Sequence, residues 1–184
     1  MEKLIVRHHL YPVLVHPDYF QNFTDQYTFR RTGSTIAALI NLLTLLAKSL
    51  QNFQYLHLIA LDFSKAFDTV RHSSLIQKCA GLPIDDSVHN WLIDYLDKRE
   101  HCTKFGGRTS KMKQINASIV QGSGIGPVAY AITASDLQPK HKGNSLNKYA
   151  DDSYLVVPST NSLLVNSELN HIAQSHINIT FKCI

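Results

Sequence analysis

Three aspartates stand where a chain could hold divalent cations. Asp62 nears the end of the apolar run His57-Leu58-Ile59-Ala60-Leu61-Asp62-Phe63, and Asp151 and Asp152 lie side by side in Tyr149-Ala150-Asp151-Asp152 between apolar segments. A carboxylate is a hard oxygen donor, the ligand type suited to Mg²⁺ or Mn²⁺. Acids on adjacent strand ends repel one another severely unless cations neutralise them. A pair of such ions can position and neutralise a phosphoryl-transfer transition state, the chemistry that makes or breaks phosphodiester bonds. A lone aspartate after a strand more simply caps the next turn, so Asp62 points to metal only in company with the second acidic segment. A further candidate is Gln121-Gly122-Ser123-Gly124-Ile125-Gly126, just ahead of Pro127. A side-chain amide at Gln121, close backbone approach at Gly122 and a proline-started helix could line a nucleotide or template pocket; the plainer reading is a flexible turn capping a helix.

These residues need a frame. Residues 56–63 are apolar on both alternating faces, as expected of a central strand, and 146–157 read as a tight hairpin with Asp151-Asp152 at its tip. Residues 1–27 yield a short helix and an irregular connection. Thr32-Gly33-Ser34 then caps a helix whose Ile36, Leu39, Ile40, Leu43, Leu46, Ala47 and Leu50 recur at helical spacing, predicting that this stripe faces the core. Further helices are expected over 73–80, ended by Gly81, and after Asp85-Asp86, with Val88, Trp91, Leu92, Tyr95 and Leu96 in one apolar stripe. A hairpin over 101–120 turns at Gly106-Gly107, Pro127 opens a helix through Leu137, and 162–174 form a last helix. Strands interspersed with helices, with hairpins present, give an α+β class: an antiparallel sheet covered by helices.

At 184 residues the chain is one domain or a piece of a larger one. Its net charge of +4 is modest, but Lys104, Arg108, Lys111 and Lys113 cluster mid-chain, and Lys140, His141, Lys142 and Lys148 precede the acid pair. Both clusters favour a polyanionic partner, against the alternative of a solvated basic hairpin. Cys79, Cys102 and Cys183 follow no C-x-x-C spacing, so neither a disulfide framework nor a zinc site is indicated, and a reducing intracellular compartment, cytoplasm or nucleus, is expected. The apolar stretch 36–50 is interrupted by Asn41, Thr44 and Lys48 and is too short to span a bilayer, so no membrane partner is expected.

Four segments, in order, carry a resemblance. Thr24-Asp25-Gln26-Tyr27-Thr28-Phe29-Arg30 with Thr32-Gly33-Ser34-Thr35 resembles the fingers motif of reverse transcriptases of the non-long-terminal-repeat (LINE-type) retrotransposons. Leu61-Asp62-Phe63-Ser64-Lys65-Ala66-Phe67-Asp68, Gln121-Gly122-Ser123 through Pro127 with Ser135-Asp136-Leu137, and Tyr149-Ala150-Asp151-Asp152 resemble the three central palm motifs of the same enzymes. The resemblance implies a polymerase palm over 56–174, a partial fingers region over 1–55 and a divergent tail over 175–184, with the thumb absent. It implies that Asp62, Asp151 and Asp152 hold two Mg²⁺ (or Mn²⁺) ions, and that Phe63, Phe67, Gln121 and Gly122 bind the nucleotide, Phe67 packing against its sugar to reject a 2′-hydroxyl. Arg30 and Gly33 would meet the template. The implied reaction is attack of a DNA primer 3′-hydroxyl on a deoxynucleoside triphosphate, directed by an RNA template. The alternative is a catalytically inactive retroelement remnant that at most binds nucleic acid weakly.

Overall fold

The computed structural model describes residues 1–16, 18, 23–29, 33–63, 65–120, 122–174 and 179–183. The chain forms two compact units: residues 14–66 with 134–184, and residues 1–13 with 67–133.

The first of these holds a four-stranded sheet in the order β6-β7-β1-β8, antiparallel throughout. Strand β1 is Leu56–Phe63, β6 is Ser145–Tyr149, β7 is Asp152–Pro158 and β8 is Ile179–Cys183. Strand β1 lies inside the sheet, as its two-faced apolar pattern requires, with Ile59, Leu61 and Phe63 buried along it, as are Leu146 of β6 and Leu155 and Val157 of β7. The tail predicted as divergent therefore supplies, over 179–183, a strand paired to β1. Helix α3 (Thr35–Asn52) starts at Ser34, whose hydroxyl accepts the Ala37 N–H at 3.0 Å. It lies along the sheet through Ala38 and Leu42, and Asn147 Nδ2 donates to the Ala38 carbonyl at 3.2 Å.

The expected core stripe of α3 is corrected by this geometry. Ile36 is 69% exposed and Leu39, Ile40, Leu43, Ala47 and Leu50 are also exposed, while Leu46 is half-buried. The helix is apolar almost all round, with Lys48 its only charged residue, so periodicity could not choose between its faces. Helix α7 (Val165–Gln174) buries Ile172 and Glu168.

The other unit is mostly helical. It contains α1 (Glu2–Ile5), a π-helical turn at Val6–Leu10, α2 from Tyr11, α4 (His72–Ala80), α5 (Asp86–Leu96) and α6 (Gly126–Thr133). Helix α6 ends a turn earlier than predicted and is buried along nearly its whole length. Helix α5 buries Val88, Leu92 and Leu96, whereas Trp91 and Tyr95 are half-buried and stack with centroids 5.2 Å apart. Two short ladders complete the unit: β2 (Glu100–His101) with β5 (Lys113–Gln114), and β3 (Lys104–Phe105) with β4 (Arg108–Thr109).

Candidate active site

The three acids meet at one end of the sheet. Asp62 and Asp152 are direct cross-strand partners in the β1–β7 ladder, and Asp152 also faces Tyr149 in the β6–β7 hairpin. Direct partners across an antiparallel pair present their side chains on the same face, and like charges there destabilise the ladder. Asp151 occupies the two-residue turn beside them, and all three are exposed. Their neighbours Leu61, Phe63 and Ser153 are buried, which fixes the register and keeps Asp62 and Asp152 on the solvent side.

The turn is held in an uncommon shape. Ala150 has φ +55°, a left-handed conformation that costs an L-residue about 1–2 kcal/mol. Its N–H donates to Gln26 Oε1 at 3.1 Å and to Thr28 Oγ1. Gln26 is buried, and its Oε1 also accepts the Thr28 hydroxyl at 2.7 Å and the Thr28 N–H at 3.2 Å. Residues 25–27 run alongside β6 as a short parallel pairing: Lys148 N–H donates to Asp25 O at 2.7 Å and Tyr27 N–H to Lys148 O at 2.8 Å. The upstream motif thus buttresses the acidic hairpin through its main chain and through Gln26 and Thr28. Neither residue's role was legible in sequence, since both act through a partner distant along the chain.

Lys148 is corrected as well. Read from sequence as part of a basic surface, it is 1% exposed. Its ammonium donates to Asp25 Oδ2 at 3.0 Å and to the carbonyls of Ala134 at 3.1 Å and Leu137 at 2.9 Å, which uses all three of its N–H groups. Burial pushes the Asp25 carboxyl above its ordinary value, outweighing the pull of Lys148, and Asp25 Oδ1 is buried with no hydrogen bond among the described residues. Lys140 and His141 are tied by their main chain to buried Glu168, which accepts their N–H groups at 2.6 and 3.0 Å and Asn144 Nδ2 at 2.7 Å. The Lys140 and Lys142 side chains themselves stay exposed.

The remaining expected site residues fall as follows. The Phe63 side chain is buried, leaving only its main chain for a ligand. Phe67 is half-buried and stacks on buried Tyr130 of α6, centroids 4.8 Å apart and planes 25° apart; its carbonyl accepts the Ile119 N–H at 2.9 Å. Gly122 is exposed at φ +82°, a left-handed conformation that favours glycine, with open space where a Cβ would point. Close approach occurs at Gly124, where a Cβ would sit 3.1 Å from Glu2 and Lys3 and whose N–H donates to Glu2 Oε2 at 2.7 Å. Gly33 is half-buried just before the α3 cap. Arg30 and Gln121 lie outside the described residues.

As a donor set, three exposed carboxylates at one sheet end suit a hard divalent cation. Among the described residues, however, no group of three or more acid, histidine or cysteine side chains closes on a common point that would hold an ion. No helix among them is long and apolar enough to cross a membrane.

Comparison with known proteins accords with this geometry. Residues 3–183 match the family described as reverse transcriptase (RNA-dependent DNA polymerase). Similar relatives include the RNA-directed DNA polymerase from mobile element jockey of Drosophila melanogaster, 28% identical over 152 residues, covering 78% of this chain and 16% of the relative. Another is the probable RNA-directed DNA polymerase from transposon BS of the same fly, 28% identical over 141 residues, covering 73% and 16%. The chain thus spans about one sixth of the length of these curated relatives. The solved telomerase of Candida tropicalis, in complex with a TWJ fragment of telomeric RNA, shares the fold with a TM-score of 0.72 at 12% identity, over 100% of this chain and 33% of that one. The telomerase of Candida albicans gives 0.71 at 11%, over 100% and 35%. With an antiparallel palm-like sheet, acids opposed across its central ladder and a family match over nearly its whole length, the chain belongs to the reverse transcriptase family, as a LINE-type domain.

Proposed function

We propose that this chain supplies the palm of an RNA-directed DNA polymerase, in which Asp62, Asp151 and Asp152 hold two Mg²⁺ or Mn²⁺ ions during nucleotidyl transfer. The observation that carries the reading is the direct opposition of Asp62 and Asp152 at an exposed sheet end beside Asp151. When bound, the ions would activate a primer 3′-hydroxyl and neutralise charge on the triphosphate. The chain's own part is positional. The β1–β7 register fixes two of the acids, and Gln26 and Thr28 hold the turn that carries the third. The family resemblance assigns nucleotide contacts to Phe63, Phe67, Gln121 and Gly122, with Phe67, which stacks on Tyr130, selecting against a 2′-hydroxyl. Arg30 and Gly33 would face the RNA template, opposite a DNA primer. The setting is intracellular, in cytoplasm or nucleus.

The second reading is an inactive remnant that binds nucleic acid weakly. Mn²⁺ titration separates the two. On the polymerase reading, millimolar Mg²⁺ or Mn²⁺ raises the melting temperature by mass action, and Asp62→Asn with Asp151→Asn removes the rise. Primer extension on an RNA template then asks whether this chain alone completes the chemistry, with Asp151→Asn, Asp152→Asn as control. A double variant that responds to Mn²⁺ as the parent does would sink the site assignment.

A further inference from the structure

Residues 103–114 are exposed without a break, the longest such run among the described residues. They form the outer part of a hairpin rooted where Ile115 N–H donates to Arg99 O at 2.8 Å, with the Arg99 guanidinium 4.4 Å over the Tyr95 ring. From that root the β2–β5 and β3–β4 ladders run to a tip at Gly106 (φ +55°) and Gly107 (φ +74°). Two successive positive φ angles are the pattern of a tight two-residue hairpin turn, so the tip is defined in shape. A two-stranded hairpin with neither face covered gains little from burial, and such ribbons are marginal on their own. This one buries nothing in return: Phe105 is 87% exposed and Met112 58%.

Its charge is equally particular. Residues 99–114 carry Arg99, Lys104, Arg108, Lys111 and Lys113 against the single acid Glu100, which accounts for the whole net charge of +4; the rest of the chain is balanced. No ion pair among the described residues involves Lys104, Arg108, Lys111 or Lys113. Phe105 and Arg108 are direct cross-strand partners and share a face at the tip, while Lys104, opposite Thr109, stands on the other face of the ribbon. An exposed aromatic ring among unpaired cations matches the two demands of a single strand, a phosphate chain to neutralise and unpaired base faces to cover.

We propose that the hairpin of residues 99–115 is an arm that grips single-stranded nucleic acid, Phe105 stacking on an unpaired base while Lys104, Arg108, Lys111 and Lys113 lie along the phosphates. The proposal deepens the polymerase reading and rests on it for the choice of nucleic acid over another polyanion. A duplex offers the same phosphates but hides its base faces in the stack, so Phe105 adds nothing there.

The test is fluorescence anisotropy of the full chain with an oligouridine RNA, a blunt RNA duplex and phosphatidylserine vesicles over a range of salt. Phe105→Ala is expected to weaken single-strand binding about five- to hundredfold, leaving duplex binding and the salt slope unchanged. Lys104→Ala with Arg108→Ala is expected to lower the salt slope by about 0.7 for each phosphate no longer neutralised. All three side chains are exposed, so melting temperatures should match the parent. Equal loss on single strand and duplex, no loss from Phe105→Ala, or preference for vesicles over RNA would each overturn the proposal. Metal-dependent extension with unchanged binding by the arm variants would fail the arm and keep the polymerase; loss of binding without any metal response would do the reverse.

Discussion

A cation three residues ahead of Asp151 would compete with any ion that the proposed acidic site holds, yet Lys148 points inward and spends its charge on Asp25 and two carbonyls. Removing one member of a buried pair leaves the other uncompensated, so Asp25→Asn should cost about 3–5 kcal/mol, whereas Asp25→Leu with Lys148→Met removes both charges and should cost mainly about 1–3 kcal/mol, from the carbonyls of Ala134 and Leu137 that lose their donor. The pH dependence has a definite sign. Because burial raises the folded carboxyl above its unfolded value, the folded state keeps its proton where the unfolded state has lost it. Asp25's contribution to stability is therefore greatest below the unfolded value and falls as pH rises through the folded one. Thermal melts should show that decline in the parent and not in the Asp25→Leu, Lys148→Met pair. Phe67 offers a separate check: Phe67→Ala should narrow the preference for deoxy- over ribonucleoside triphosphates in direct binding, and an unchanged ratio would leave the ring only its stacking on Tyr130. The acids were legible because strand ends and a hairpin tip can be read locally. Lys148 was not, because nothing in a run of cations says which one finds a buried carboxylate, and the glycines near residue 122 could be located but not told apart as turn former or close neighbour.

The acidic hairpin depends on a neighbouring segment for its shape. Gln26 Oε1 gathers three donors, and Gln26→Leu would strand the Thr28 N–H in a partly buried setting and leave the Ala150 N–H only the Thr28 hydroxyl. A loss of about 1–3 kcal/mol is expected. A merely structural Gln26 would change only the melting temperature. A positioning Gln26 should also weaken the Mn²⁺-induced shift, measured against a control variant of matched stability. Element existence was largely open to reading: β1, the acidic hairpin, α3 through α5 and the Gly106-Gly107 turn all stand where spacing and turn residues put them. Orientation was harder. Helix α3 carries apolar residues on every side, so the face that packs was decided by the sheet it meets at Ala38 and Leu42. Helix α6 stops at Thr133 although the apolar pattern continues, and residues 179–183 join the sheet without a strong strand signature.

At the scale of the whole chain, a stretch about one sixth of the length of its relatives carries the family match and the four-stranded antiparallel sheet. The fold is shared with telomerases at 11–12% identity, which shows how little of the sequence the architecture requires. One feature of this chain changes how it would arrive at a partner rather than how tightly it would hold one. With all of the excess charge on one hairpin and none on the balance of the molecule, a polyanion's field exerts a torque as well as a pull. Approach is then oriented, arm leading, over a distance of about one Debye length, ~8 Å at physiological salt. Rising ionic strength shortens that reach and slows the encounter, while the stacking of the ring at the tip acts only at short range and is far less sensitive to salt.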